Sequence, residues 1–162
     1  MSEKLEITPR GTRGSRTPWG LMRYLQPLMR GQISNYRKKA GPEPPKMRGL
    51  PLVLLTTVGA RTGEERTHPL GGLPEGKGSW IVIGSRGGDK SHPGWFINLA
   101  KNPDQVWLEV GNKKFHARPT LLKGAERDEA YARVVALSPG YAKYPQKTDR
   151  EIPVIRLTPL QS

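Results

Sequence analysis

The chain has 162 residues, a length typical of a single domain with a buried core. It carries 27 lysines and arginines against 14 aspartates and glutamates. The formal charge of +13 favours an anionic partner, which is a nucleic acid, a membrane surface or an acidic small molecule. Cysteine is absent, which excludes disulfides, thiolate catalysis and cysteine-ligated metals.

The first 49 residues differ in composition from the rest of the chain. Residues 1–17 are polar and rich in glycine, proline and arginine, so we predict a disordered basic terminus. This stretch lacks the apolar core of a signal peptide, and no apolar run approaches the roughly 20 residues of a transmembrane helix. We therefore expect a cytoplasmic protein.

Residues 18–49 are predicted to be an amphipathic segment followed by a linker. Apolar residues recur at helical intervals over residues 18–39 with cations between them, but Pro27 and Gly31 should break or kink a helix there. Two interpretations stay open: a helix packed on the domain, or a segment lying on an anionic membrane or over the mouth of a ligand site.

Residues 50–162 are predicted to form the main domain, which is mostly β. A helix is indicated by Trp95, Phe96 and Leu99, and a longer one by residues 124–137. The two strands joined by Gly111-Asn112 are predicted to form a hairpin. Six segments are predicted as strands: 50–58, 66–73, 79–85, 105–110, 114–122 and 152–160. Together they indicate a small antiparallel barrel decorated by helices.

Metal and hydrolase chemistry find little support in the sequence. His68, His92 and His116 have no ligand-like spacing and no cysteine partners, so we predict no metal site. No Gly-x-Ser-x-Gly elbow is present to supply a hydrolytic nucleophile.

Basic residues gather at two glycine turns, in the segments GARTGEER (59–66) and SRGGDK (85–90). Glycine lets backbone amides approach an anion closely, while arginine and hydroxyl side chains donate to its oxygens. Both turns follow predicted strands, so they could meet at one rim of a barrel. The pattern alone also fits two ordinary surface turns with solvated cations.

Three segments in series carry a family resemblance: PLVLLTTVGARTGEERTHPL (51–70), GSRGGDKSHPGWFINLAKNP (84–103) and PGYAKYPQKTDREIPVI (139–155). Together they resemble the deazaflavin-dependent nitroreductase family, bacterial oxidoreductases that use reduced coenzyme F420. The resemblance covers about residues 50–158. It implies a mainly β fold with flanking helices, a split β-barrel of the flavin-reductase and pyridoxamine-phosphate-oxidase-like type.

The resemblance also implies roles for individual residues. Ser85 would donate to the deazaflavin or its linker. Tyr141 would act as acid or hydrogen-bond donor to the acceptor, with Tyr144 as a wall of the substrate pocket. We therefore predict Ser85 and Tyr141 as catalytic residues. Coenzyme binding would fall to Arg61, Thr62, Gly63, Arg66, Ser85, Arg86, Gly87, Gly88, Trp95 and Asn98.

Two departures from the family pattern concern the substrate pocket. Ser138 stands where nitroreductase members carry a further tyrosine, and Gly71-Gly72 where another aromatic often follows. The resemblance therefore supports coenzyme binding by this protein more strongly than it supports reduction of nitroaromatic compounds. The acceptor is expected to be a quinone, an activated alkene or a nitroaromatic compound, and the apolar, basic segment at 18–39 would suit an enzyme that visits the membrane peripherally.

Three other functions remain open at this point. The protein could carry the coenzyme without turning it over, or it could be an FMN-binding reductase, because FMN is the other cofactor of this barrel type. The charge of +13 also invites nucleic-acid binding, but only 7% of the chain is aromatic and no nucleic-acid motif is present.

Overall fold

The computed structural model describes residues 3–15 and 19–160, with the side chains of the second range described from residue 25 onward. Predictions for the other positions lie outside the described residues. The helices are α1 (Trp19–Lys38), α2 (Gly94–Lys101), α3 (Gly124–Leu137) and α4 (Tyr144–Lys147). The strands are β1 (Lys46–Met47), β2 (Leu50–Val58), β3 (Glu65–Gly71), β4 (Leu73–Pro74), β5 (Trp80–Ile83), β6 (Trp107–Val110), β7 (Lys113–Leu121) and β8 (Val154–Pro159).

The strands form one antiparallel sheet that curls into a half-barrel. The order is β1-β2-β6-β7-β8-β5-β4, and β3 also pairs with β2. Strand β2 lies between β3 and β6 and is buried along almost its whole length, which explains its continuous apolar run. All six predicted strands and the β6–β7 hairpin are confirmed, whereas the two-residue strands β1 and β4 are too short to show a periodic pattern.

Two helices cover the sheet and complete the core. Phe96 and Leu99 of α2 are fully buried against the side chains of β2, β5 and β6. Tyr131 and Val134 of α3 pack on a second apolar cluster that includes Ile81. Both helices agree with the sequence prediction, and α2 places its first turn beside the loop that follows β5.

Helix α1 runs unbroken through Pro27 and Gly31, contrary to the predicted break. Pro27 is exposed, so water can hydrate the carbonyl that its missing N–H leaves unpaired. The C-terminal part of the helix packs on the barrel. Tyr36 is buried, donates to the Leu52 carbonyl at 2.9 Å and accepts from the Gly111 amide at 2.8 Å. No helix among the described residues is long and apolar enough to cross a membrane.

Residues 3–15, here called the N-terminal strap, lie across the barrel, where the sequence predicted disorder. Backbone hydrogen bonds join the amides of Leu5, Gly11 and Ser15 to the chain between residues 88 and 100. The Asp149 carboxylate accepts from the amide of Thr12 at 2.8 Å. These partners are distant in sequence, so composition alone does not reveal them.

Candidate active site

A cavity of about 470 Å³, here called the central cavity, opens between β3, helix α1, the start of α2 and the loop after β5. Five of the residues predicted for the site line it: Ser85, Arg86, Gly87, Trp95 and Tyr141. They come from three separate parts of the chain, and the fold brings them together because β5 leads directly into α2. Strand β3 forms the opposite wall with residues 68–71.

The loop between β5 and α2 has an unusual backbone. Arg86, Gly87 and Gly88 have φ values of 46°, 64° and 81°, three successive residues in the left-handed region. Glycine adopts this region without strain, whereas Arg86 must be held there. The Arg86 guanidinium donates to the His92 carbonyl at 3.2 Å, which ties the side chain back to its own loop.

Arg150 supports this loop from beneath and is only 4% exposed. Its guanidinium donates to the carbonyl oxygens of Gly84 (3.0 Å), Ser85 (2.8 Å) and Asp89 (3.0 Å), and to Nδ1 of His92 (2.9 Å). Burial lowers the pKa of Arg150 to about 10, so the side chain stays charged at neutral pH. No local pattern in the sequence indicates this role, because Arg150 lies 65 residues from Ser85.

Tyr141 lies in the wall of the central cavity beside Tyr144, with the two rings edge to face and their centroids 5.3 Å apart. Burial, together with the neighbouring Tyr144, raises the pKa of Tyr141, and Arg48 opposes the shift. The phenol is therefore protonated at neutral pH and can donate. Tyr144 lines a smaller pocket that meets the central cavity at Gly71 and Tyr141.

The turn between β2 and β3 lies outside the wall of the central cavity. Its residues Arg61, Thr62 and Gly63 are exposed and are not among those that line the cavity. Asn98 does not face the cavity either. Its Oδ1 accepts from the Ala60 amide at 3.0 Å, so the side chain braces the turn from α2.

Arg66 lines a second cavity of about 590 Å³ between α1 and β3, here called the side groove. Other cations on the groove are Arg30, Arg37 and Lys38. The side groove shares three lining residues with the central cavity, Gln26, Met29 and His68, so the two spaces adjoin. In the sequence we considered His68 only as a possible metal ligand, predicted no metal site, and missed its position in the walls of both cavities.

The chain matches known proteins over most of its length. Residues 28–159 match the family described as F420H(2)-dependent quinone reductase. The F420H(2)-dependent quinone reductase of Mycobacterium tuberculosis is 37% identical over 113 residues, which are 67% of this chain and 73% of that protein. A solved structure of an F420-H2 dependent reductase (FDR-A) is 38% identical, with a TM-score of 0.60, and the match covers 65% of this chain and 92% of that one.

The fold extends to more distant proteins. The heme storage protein HutZ of Vibrio cholerae is 17% identical, with a TM-score of 0.52 over 83% of this chain and 92% of that one. The predicted split β-barrel and the resemblance to F420-dependent reductases are thus confirmed. The description of the matching family names quinone reduction, whereas the sequence resemblance was to nitroreductases. The chain belongs to the F420H(2)-dependent quinone reductase family.

Proposed function

We propose that this protein is an oxidoreductase that reduces a quinone-type acceptor with the hydride of reduced coenzyme F420. The observation that carries the proposal is the central cavity, where the Ser85–Gly87 loop, Trp95 and Tyr141 converge. Family membership supplies the cofactor and the acceptor class. The cavity supplies a place in which the two could meet.

The residues of the cavity fit a planar, anionic coenzyme. Met29, Leu70, Ile83 and Trp95 give it apolar walls, and among the described residues that line it there is no carboxylate. Arg86 lies on the wall, and its positive charge favours an anionic ligand there.

Among the described residues, four cations and one carboxylate, that of Glu65, line the side groove, and Arg37 is already paired with Glu109. The remaining positive charge suits the polyanionic tail of such a coenzyme, because guanidinium groups bind phosphate and carboxylate oxygens well. Arg66 lies on the groove itself. Arg61, Thr62 and Gly63 precede it on the exposed turn, so we assign them only to a tail that extends out of the groove. Asn98 acts on that tail indirectly, by fixing the turn.

Reduction of a quinone to a quinol takes one hydride and one proton, and the bound coenzyme supplies the hydride. The phenol of Tyr141 delivers the proton to the acceptor oxygen and regains it from solvent. Its raised pKa keeps it in the donating form at neutral pH. Ser85 and Trp95 hold the reacting rings in contact and exclude water from one face.

The departures at Gly71 and Ser138 support a different acceptor from that of the nitroreductases. A Cβ on Gly71 would lie 3.1 Å from Leu50 Cδ1 and 3.7 Å from the Tyr141 hydroxyl oxygen. The missing side chain therefore keeps the space beside the proton donor open. Ser138 is 3% exposed and contributes a small side chain to the adjoining pocket, where a tyrosine would occupy more volume.

We further propose that α1 brings the protein to an anionic lipid surface, from which an apolar quinone can enter. Leu28 is 73% exposed and Leu25 42% exposed, on the helix that borders the central cavity and carries the cation Arg30. Leu28→Ser should weaken sedimentation with anionic vesicles, and Leu137→Ser on α3 is the matched control. Equal binding of both variants and the wild type would refute this role.

The function is tested by titrating the purified protein with oxidised coenzyme F420, followed by fluorescence, with FMN in parallel. Selective binding of the deazaflavin, with turnover of menadione by the reduced coenzyme, supports the proposal. Selective binding without turnover of menadione or a nitroaromatic indicates a coenzyme carrier. Preferential binding of FMN indicates an FMN-dependent reductase instead. Salt-sensitive binding of DNA, with no binding of either cofactor, indicates a nucleic-acid-binding protein.

A further inference from the structure

His68 lies where the central cavity and the side groove adjoin. It sits on β3, paired with Leu55 of β2, and lines both spaces together with Gln26 and Met29 of α1. A ligand that extends from one space into the other must therefore pass its imidazole. Nothing in the sequence pattern marks this histidine, because it belongs to no recognised motif.

The hydrogen bonding of His68 is incomplete. Its Nδ1 is buried and has no partner, and among the described residues no hydrogen bond to Nε2 is found. The other two histidines are satisfied, since His92 bonds to Thr8 and Arg150, and His116 Nε2 bonds to the Asp104 carbonyl at 2.6 Å. An enclosed polar atom without a partner costs on the order of 1–3 kcal/mol, so a native structure retains one for a reason.

The enclosed Nδ1 also decides which nitrogen carries the proton. A neutral imidazole has one N–H, and a buried, unpartnered N–H is the less favourable arrangement, so the proton lies on Nε2. Burial, with the nearby Arg66, lowers the pKa of His68 and keeps the ring neutral at neutral pH. Because Nδ1 is enclosed while the ring lines two cavities, the edge that carries Nε2 is the polar edge left for a ligand.

We propose that His68 donates a hydrogen bond from Nε2 to a carbonyl oxygen of a planar ligand bound where the two cavities adjoin. The inference rests on the proposed function, which supplies two ligands of this chemistry: the quinone acceptor and the ring system of the coenzyme. A neutral N–H donor suits either, because a carbonyl oxygen gains negative charge when its ring is reduced, and a fixed donor stabilises that charge.

The position of His68 relative to Tyr141 gives this donor a function of its own. Strand β3 lines the central cavity from His68 to Gly71, and Gly71 lies next to the Tyr141 hydroxyl. Three residues of extended strand span about 10 Å. Because His68 and Tyr141 both line the central cavity, a planar ligand that reaches both would meet two donors, and the two would fix its orientation.

The first test is the protonation of His68 in the ligand-free protein, measured by NMR of protein with ¹⁵N-labelled histidine. We expect the proton on Nε2 and a neutral ring at pH 7, and a proton on Nδ1 would overturn the proposal. Addition of oxidised coenzyme F420 alone, or of menadione alone, should then shift the His68 Nε2 resonance in at least one arm. The His116 resonance serves as the internal control.

The second test compares His68→Gln with His68→Leu. The glutamine amide nitrogen reproduces the Nε2–H donor, whereas leucine fills the space without a donor. We expect leucine to raise the Kd of the coenzyme or of menadione about tenfold, the value of one hydrogen bond, and glutamine to restore it to within about threefold. If the Kd of the coenzyme responds, His68 binds a carbonyl of the coenzyme ring; if the Kd of menadione responds, it binds a quinone carbonyl.

The outcomes separate the two proposals. If the wild type binds menadione but not the coenzyme, the proposed function fails and the menadione arm still decides the role of His68. If His68→Leu binds both probes as tightly as the wild type, the role of His68 is refuted and the proposed function stands. A wild type that binds neither probe overturns both.

Discussion

The β5–α2 loop and the β2–β3 turn carry the same kinds of residues, yet the tertiary structure holds them in different ways. Both combine glycines, a hydroxyl side chain and arginines after a buried strand. The β5–α2 loop lies on the central cavity and is fixed by Arg150, which is almost fully buried. The β2–β3 turn is exposed and is held mainly by its own atoms, with Thr62 Oγ1 accepting from the Glu64 amide at 3.2 Å.

The difference shows that preorganisation comes from distant support rather than from the local motif. A backbone with three left-handed residues in succession persists only if its surroundings hold it. Arg150 provides that support with four hydrogen bonds, whereas Asn98 braces the β2–β3 turn through a single hydrogen bond with the Ala60 amide. We therefore expect the loop to determine the geometry of reaction and the turn to adjust the affinity for an anionic tail.

The largest effect is expected for Arg150→Met. The substitution removes the donor of the buried Gly84 and Asp89 carbonyl oxygens, whereas the Ser85 carbonyl still accepts from the Gly88 amide. The free energy of unfolding should therefore fall by on the order of 3 kcal/mol, measured by urea denaturation. Arg118→Met, an exposed arginine on β7, is the matched control and should stay within about 0.5 kcal/mol of the wild type. Equal stability of the two variants would mean that Arg150 does not hold the β5–α2 loop. The proposed difference between this loop and the β2–β3 turn would then be wrong.

The next effect tests what the fixed loop accomplishes together with Tyr141. Tyr141→Phe removes the proposed proton donor but keeps the ring, so kcat should fall about 100-fold with the Kd of the coenzyme unchanged. Tyr144→Phe is the control, because a pocket wall needs only the ring. Full activity of Tyr141→Phe in steady-state assays would exclude it as the donor.

The sequence predicted what depends on local pattern and missed what depends on distant contacts. Strand β2 and helix α3 follow directly from an apolar run and a helical period, which are local properties. The supporting role of Arg150 depends on partners about 60 residues away. His68 acquires its position only when α1 closes over β3, and no motif around it could have indicated that.

A smaller effect distinguishes Arg66, which lies on β3, from Arg61, which lies in the β2–β3 turn. Arg66→Ala should raise the Kd of the coenzyme about tenfold, because Arg66 lines the side groove, and Arg61→Ala only about threefold, because Arg61 does not line it. The KM of the quinone should not change. Both effects should shrink as salt rises, whereas Arg118→Ala has none at any salt concentration. A larger effect for Arg61 than for Arg66 would indicate that the anionic tail of the coenzyme binds at the β2–β3 turn, as the sequence predicted.

The smallest effect concerns the N-terminal strap, which is hydrogen-bonded to the β5–α2 loop through Ser15. The hydroxyl of Thr12 and the backbone amides of Arg13 and Thr12 donate to the exposed Asp149 carboxylate and lower its pKa to about 2. Because the pKa is lowered on folding, this contribution is complete above the usual carboxyl pKa of about 4 and is lost as pH falls through about 2.

Acidification from pH 5 to pH 2 should therefore release the strap around Thr12, observed as loss of hydrogen-exchange protection at the Thr12 and Arg13 amides. Asp149→Asn should release it already at pH 7, with Asp128→Asn on α3 as the control. Since Arg150 and not the strap fixes the loop, the Kd of the coenzyme in Asp149→Asn should stay within about twofold of the wild type. A tenfold loss of coenzyme affinity would show instead that the strap, which bonds to Gly88 through Ser15, is part of what holds the loop in place.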